Sequence, residues 1–190
     1  TNAMRISEEV QGIINAAYQD AKQRNHEYLT AEHVLYAAVF FDLSREILTG
    51  CGANPDEIKE MLEEHLEKNV PVVENTEPLQ SQGFEEVIQR ALFHTEASQK
   101  EIVDIGDILV SILDEEQSFG AYFLKKNGVT RYNLLRVISH GGILQDQDSD
   151  DEESEHGEPA ETASSDDEGK QKRKKKDALS QFTRELTDAA

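Results

Sequence analysis

The sequence predicts an all-α fold built from two pseudo-symmetric four-helix halves. Three observations carry this: an internal repeat, apolar residues recurring at helical spacing, and capping residues at the start of each periodic segment. Residues 26–39 read HEYLTAEHVLYAAV, and 74 positions later residues 100–113 read KEIVDIGDILVSIL. Each stretch brings an apolar residue (Leu29, Val103), a capping residue (Thr30, Asp104) and, after three positions, an apolar doublet (Val34-Leu35, Ile108-Leu109). Upstream, Val10, Ile14 and Ala17 fall on Phe84, Ile88 and Ala91. Downstream a two-residue insertion brings Ile47-Leu48, Gly52, Ile58 and Leu62 onto Phe123-Leu124, Gly128, Leu134 and Ile138. Two copies of one supersecondary unit suit a closed domain better than an open solenoid.

Taken in order, Ser7 with two glutamates behind it opens the first helix, whose stripe is Val10, Ile13, Ile14, Ala17 and Ala21. Lys22 and Arg24 sit at the end where the helix dipole favours positive charge. Thr30 caps the second helix, whose run from Val34 to Phe41 is apolar on nearly all sides, as a buried central helix requires. Ser44 is expected to cap a short third helix that Gly50 or Gly52 ends. Asn54-Pro55-Asp56-Glu57 starts a fourth, with a cap, a proline in the first helical position and acids at the positive end. Its stripe is Ile58, Met61, Leu62, His65 and Leu66, and residues 69–82, with Pro71 and Pro78, connect the two halves.

The second copy repeats the plan. Phe84, Val87, Ile88, Ala91 and Leu92 form its first stripe. Asp104 caps the next helix, Ser118 starts the third and Gly128 closes it. Thr130 caps the last, which carries Leu134, Leu135, Val137 and Ile138 as far as Gly141-Gly142. The expected count is eight helices and no strand.

Charge divides the 190-residue chain unevenly around its net −20. Residues 4–140 hold 12 basic and 24 acidic side chains, whereas residues 146–168 hold 12 acidic and no basic ones. An acidic body repels phosphate backbones, which argues against nucleic acid as a partner. The lone Cys51 excludes an intramolecular disulfide and fits a reducing, cytoplasmic setting. No apolar run reaches the ~20 residues that a membrane span needs. Thr1-Asn2-Ala3 ahead of Met4 reads as a purification-tag remnant, and residues 4–142 form the expected domain. From 143 to 177 the composition is that of a disordered acidic and basic linker, which cannot bury enough apolar surface to offset the entropy of ordering it. Its basic run, Lys172 to Lys176, is most simply half of a solvated polyampholyte. Leu179, Phe182 and Leu186 then give a short apolar stripe with no partner, as if residues 178–190 opened a further module.

No catalytic constellation is legible. G-x-S-x-G and the phosphate loop G-x-x-x-x-G-K-[ST] are both absent, so neither proteolysis nor ATP hydrolysis is expected of this stretch, and no cofactor. Cys51 reads as a small buried residue in the turn that ends a helix. His26, Glu27, Glu32 and His33 cluster in sequence, but without zinc-ligand spacing, and no metal site is expected. His33, at the third position of its helix, reads as a capping or packing residue.

These residues resemble a known family. A-x-x-x-A (Ala17, Ala21) followed by HEYLTAEHVL resembles the N-terminal domain of the Clp ATPases. FEEVIQRALFH (84–94), AYFLKKNGVTR (121–131) and VISHG (137–141) narrow the resemblance to its ClpA-type members. LSQFTRELTDAA (179–190) looks like the entry to the first ATPase module. The resemblance implies a monomeric docking domain with no activity of its own, tethered above a hexameric ring that binds ATP and magnesium and feeds ClpP. It would receive the adaptor ClpS and some protein substrates directly. It places that surface near the loop before the second helix and the segment entering the fifth, here His26, Glu27 and Glu32, and Thr76 to Gly83, with Thr76 and Ser81 as its candidate contacts. The competing account of Glu27 and Glu32 is solvated charge at a helix end. Two alternatives stay open: a ClpC-type relative, and a standalone metal- or peptide-binding regulator acting through the acidic tail.

Overall fold

A computed structural model describes residues 5–140. The expectations for residues 1–3, for Gly141-Gly142, for the linker and for residues 178–190 lie outside the described residues. Eight helices follow the predicted order: α1 (Glu8–Gln23), α2 (Ala31–Ala38), α3 (Asp42–Gly50), α4 (Pro55–Lys68), α5 (Gln82–Ala97), α6 (Ile105–Asp114), α7 (Phe119–Lys126) and α8 (Arg131–Ser139). Predicted caps close as hydrogen bonds. The side chains of Ser7, Asn54, Ser118 and Thr130 accept from Val10, Asp56, Ala121 and Asn133 backbone N–H groups. Asp104 and Asp107 cap one another's backbone at the start of α6. Gly52 and Gly128 take φ of +88° and +93°, the left-handed turn that glycine enters without a Cβ penalty and that ends α3 and α7 alike.

Two expectations need correction. Ser44 does not cap α3. That helix begins at Asp42 with Phe41 as N-cap, because the buried Phe41 ring fixes the chain entry and its carbonyl already accepts from Arg45. Ser44 lies inside the helix, fully buried, its hydroxyl without a hydrogen-bond partner. Strands also exist: β1 (Arg5–Ile6), β2 (Tyr28–Leu29), β3 (Leu79–Gln80) and β4 (Ile102–Val103). They pair in parallel as β1–β4, with Arg5 opposite Ile102, and β2–β3, with Tyr28 opposite Leu79. Leu79 lies 74 positions after Arg5, and Ile102 lies 74 after Tyr28, so the repeat that relates the helices exchanges the two strand pairs. Each half lends the strand before its first helix to the strand before the other half's second helix. These pairs satisfy backbone groups at the seam between halves.

α2 and α6 form the centre. Val34, Leu35, Ile105, Leu109 and Ile112 are at most 1% exposed, and the apolar cluster among the described residues includes side chains from all eight helices. No helix among the described residues is long and apolar enough to cross a membrane.

Candidate partner-docking face

The β2–β3 pair joins the two segments that the resemblance singles out. Leu79 N–H donates to the Glu27 carbonyl at 2.9 Å, and Ser81 N–H to the Leu29 carbonyl at 3.0 Å. Glu27 N–H in turn donates to the Pro71 carbonyl at 2.9 Å, and His26 bridges to Val72. One surface therefore carries the loop before α2, the connection through residues 72–80, and the flank of α1. There Tyr18 donates its hydroxyl to Glu77, and Lys22 lies 3.5 Å from the same carboxylate. Glu27 is half-buried and Thr76 exposed, its hydroxyl 3.3 Å from the Val73 carbonyl. Val72 and Leu79 are each 61% exposed; Leu79 lies in the segment entering α5 that the resemblance indicates, whereas Val72, in a connection without periodicity, was not singled out.

The other three candidates serve the frame. Ser81 is the N-cap of α5, accepting from Phe84 N–H at 3.0 Å. His26 is 2% exposed and His33 fully buried. The Thr30 backbone N–H donates to His33 Nδ1 at 3.0 Å, which leaves the ring proton on Nε2. His33 Nε2–H then donates to His26 Nδ1 at 2.8 Å. Both rings are thereby held neutral, and a second proton on His33 would face a backbone donor. Burial, reinforced by His26, Arg24 and His65, pulls the His33 pKa down to about 3. Burial also lowers His26, as does nearby Arg24, and burial lowers His65 against the opposing pull of Glu32. His33 is a capping residue, as its position predicts, and also the middle of a buried relay.

Glu32 departs most from expectation. It is 7% exposed, and its Oε2 accepts from Gly120 N–H at 2.9 Å, 88 residues along the chain. The carboxylate belongs to the first turn of α2 but caps the first turn of α7, where the helix dipole and an unpaired donor both favour an anion. It is a buried capping group rather than solvated charge. Arg24, at the end of α1, pairs with Asp20 of the same helix at 2.9 Å and reaches Glu63 of α4 at 3.2 Å, with its guanidinium 5.4 Å from the Tyr36 ring centroid.

No cluster of three or more His, Cys, Asp or Glu side chains able to hold a metal occurs among the described residues. Cys51 is buried, and burial pushes its thiol pKa up, away from the reactive thiolate.

Comparison with known proteins places this architecture. The model of the Clp repeat (R) N-terminal domain matches residues 5–127. A ClpA homolog protein of Fuscovulum blasticum is 31% identical over 140 residues, which cover 72% of this chain and 18% of that protein. The chain thus spans less than a fifth of that relative's length. The Hsp104 N-terminal domain of Candida albicans superposes with a TM-score of 0.62 at 18% identity, over 70% of this chain and 88% of that one. A ClpV N-domain solved in complex with VipB peptide gives 0.57 at 22% identity, over 70% and 90%. At these identities the solved structures speak for the fold. With the repeat, its helix order and the family match in agreement, this chain belongs to the Clp repeat N-terminal domain family.

Proposed function

We propose that this domain is the adaptor- and substrate-docking module of a ClpA-type unfoldase, receiving the adaptor ClpS on the α1–β2–β3 face. The parent would be a hexameric ATPase using ATP and magnesium and passing unfolded chains to ClpP; this domain contributes binding and no chemistry. The observation that carries the reading is the β2–β3 pairing, which puts Glu27, Thr76 and an exposed apolar pair, Val72 and Leu79, on one surface. A carboxylate beside exposed apolar side chains offers a partner both desolvation and one charge-assisted hydrogen bond. Similarity to a ClpA homolog and the motifs at 84–94 and 121–131 support the ClpA-type assignment.

The test is calorimetric titration of ClpS into the chain and its variants. Losing a charge-assisted hydrogen bond worth roughly 1.5–3 kcal/mol weakens binding about ten- to hundredfold, and that is expected of Glu27→Ala. Thr76→Ala is expected to weaken it less. Unchanged ClpS affinity in a well-folded Glu27→Ala variant would move the docking surface elsewhere.

A further inference from the structure

The internal repeat builds one inter-helix groove twice, and the two copies differ. Leu43 and Ile47 of α3 face Val137 of α8; 76 positions on, Phe119 and Phe123 of α7 face Met61 of α4, which itself lies 76 before Val137. The α3–α8 copy is closed to ≈ 20 Å³, whereas the α4–α7 copy is open, at ≈ 340 Å³. Two residue exchanges accompany the difference. α8 approaches through glycines: a Cβ on Gly106 would meet Ile138 at 3.0 Å, and one on Gly50 would meet Val137 at 3.2 Å. In the open copy the positions equivalent to Gly106 and Gly50 are Glu32 and Lys126. There Lys126 is an exposed side chain on the groove wall, and Glu32 fastens the start of α7 through Gly120.

The open groove is lined with aromatic rings. His65 stacks on Phe119 at 4.5 Å, and Phe119 and Tyr122 remain 51% and 55% exposed. Each wall is one helical stripe at i, i+3, i+4 and i+7: Met61, Glu64, His65 and Lys68 on α4, and Phe119, Tyr122, Phe123 and Lys126 on α7. The helices run antiparallel, since Phe119 meets His65 while Asn127 reaches Met61 at 3.5 Å. A lysine therefore stands at each end of the apolar floor. Lys68 is paired with Glu64 at 2.9 Å, and Lys126 lies 6.0 Å from the centroid of the Tyr122 ring. The lining thus holds two lysines against one glutamate, where the body as a whole has twice as many acids as bases.

We infer that the α4–α7 groove is a second docking site, for an acidic amphipathic helix. Its apolar face would complete a three-helix packing against the two stripes, and carboxylates about seven residues apart, roughly 10 Å, would meet Lys68 and Lys126. The ≈ 340 Å³ of the groove lies at the lower end of binding-cleft sizes, ~300–1,000 Å³, enough for anchor side chains of a short segment. The site is built from elements other than the ClpS face and does not depend on that assignment.

The test uses the full chain and a labelled 15-residue capped peptide with Leu and Phe at i, i+3 and i+4 flanked by glutamates. Two controls carry the same apolar residues, one with lysines for the glutamates and one with a central proline. Fluorescence anisotropy is expected to show the acidic peptide binding at least about tenfold tighter than either control. Tyr122→Ser should weaken it about tenfold, and Lys126→Glu should weaken the acidic peptide while favouring the lysine one. Both sites are exposed, so unchanged melting temperatures should accompany these losses. Equal binding of all three peptides, no binding up to about 1 mM, or indifference to Tyr122→Ser would overturn the proposal. So would concentration-dependent dimerisation in sedimentation velocity that Tyr122→Ser abolishes, because the groove would then belong to a second copy of the chain.

Discussion

Acidification from about pH 7.5 to about pH 4 is expected to destabilise this domain steeply, with His33→Gln removing much of the slope. The folded state holds His33 at a pKa of about 3, against an ordinary value of 6.5. The folded protein thus binds fewer protons than the unfolded chain between those two values. Stability is fully present above pH 6.5 and is lost as pH falls below it. Each pH unit is worth about 1.4 kcal/mol per such group, so His33 alone accounts for roughly 3 kcal/mol by about pH 4. His26 and His65 are lowered too and act in the same direction. Arg24 and Glu32 are the charges facing them, one opposing protonation and one favouring it. Glutamine at position 33 keeps an acceptor for the Thr30 N–H, as in an ordinary capping box, but cannot titrate. Urea unfolding at several pH values should show a variant less stable at neutral pH whose midpoint falls less on acidification. Parallel curves for the two proteins would show that the relay does not hold His33 neutral.

Glu32→Ala is expected to lower stability by about 2–3 kcal/mol, since it strands a buried N–H and removes an anion from a helix start. Gly120 N–H has Glu32 Oε2 as its acceptor at 2.9 Å. Glu32→Gln keeps an oxygen there and loses only the charge, so its cost should be about 1 kcal/mol. The ordering, alanine worse than glutamine worse than wild type, is the signature of a cap. Indistinguishable urea midpoints for all three would return Glu32 to the role of a solvent-facing acid.

Helix order was legible in the sequence because caps and stripes are local. Ser7, Asn54, Asp104, Ser118 and Thr130 each act on a backbone N–H two or three residues away. Ser44 misled because serine is also at home inside a helix when its surroundings bury it, and Phe41 set the helix start instead. The four strands were illegible: each is two residues long, too short for alternation, and its partner comes from the other half of the chain. Of the site, the resemblance named the loop before α2 and the segment entering α5, which the β2–β3 pair joins, but not the exposed Val72. Glu32 shows the limit most clearly. An acid in the first turn of α2 reads as serving its own helix, and only the packing of α7 against it shows which helix it serves. The exchange of Glu32 for Gly106 between the copies was visible in the sequence, but its meaning needed the positions of α7 and α8.

The docking face is tested most directly by amide chemical-shift mapping of the ¹⁵N-labelled chain on addition of ClpS. The account predicts shifts concentrated at Glu27 and Tyr28 and through residues 72–81, with the α4–α7 groove unmoved. Shifts centred on other helices with residues 72–81 unchanged, or no shifts at saturating ClpS, would contradict it.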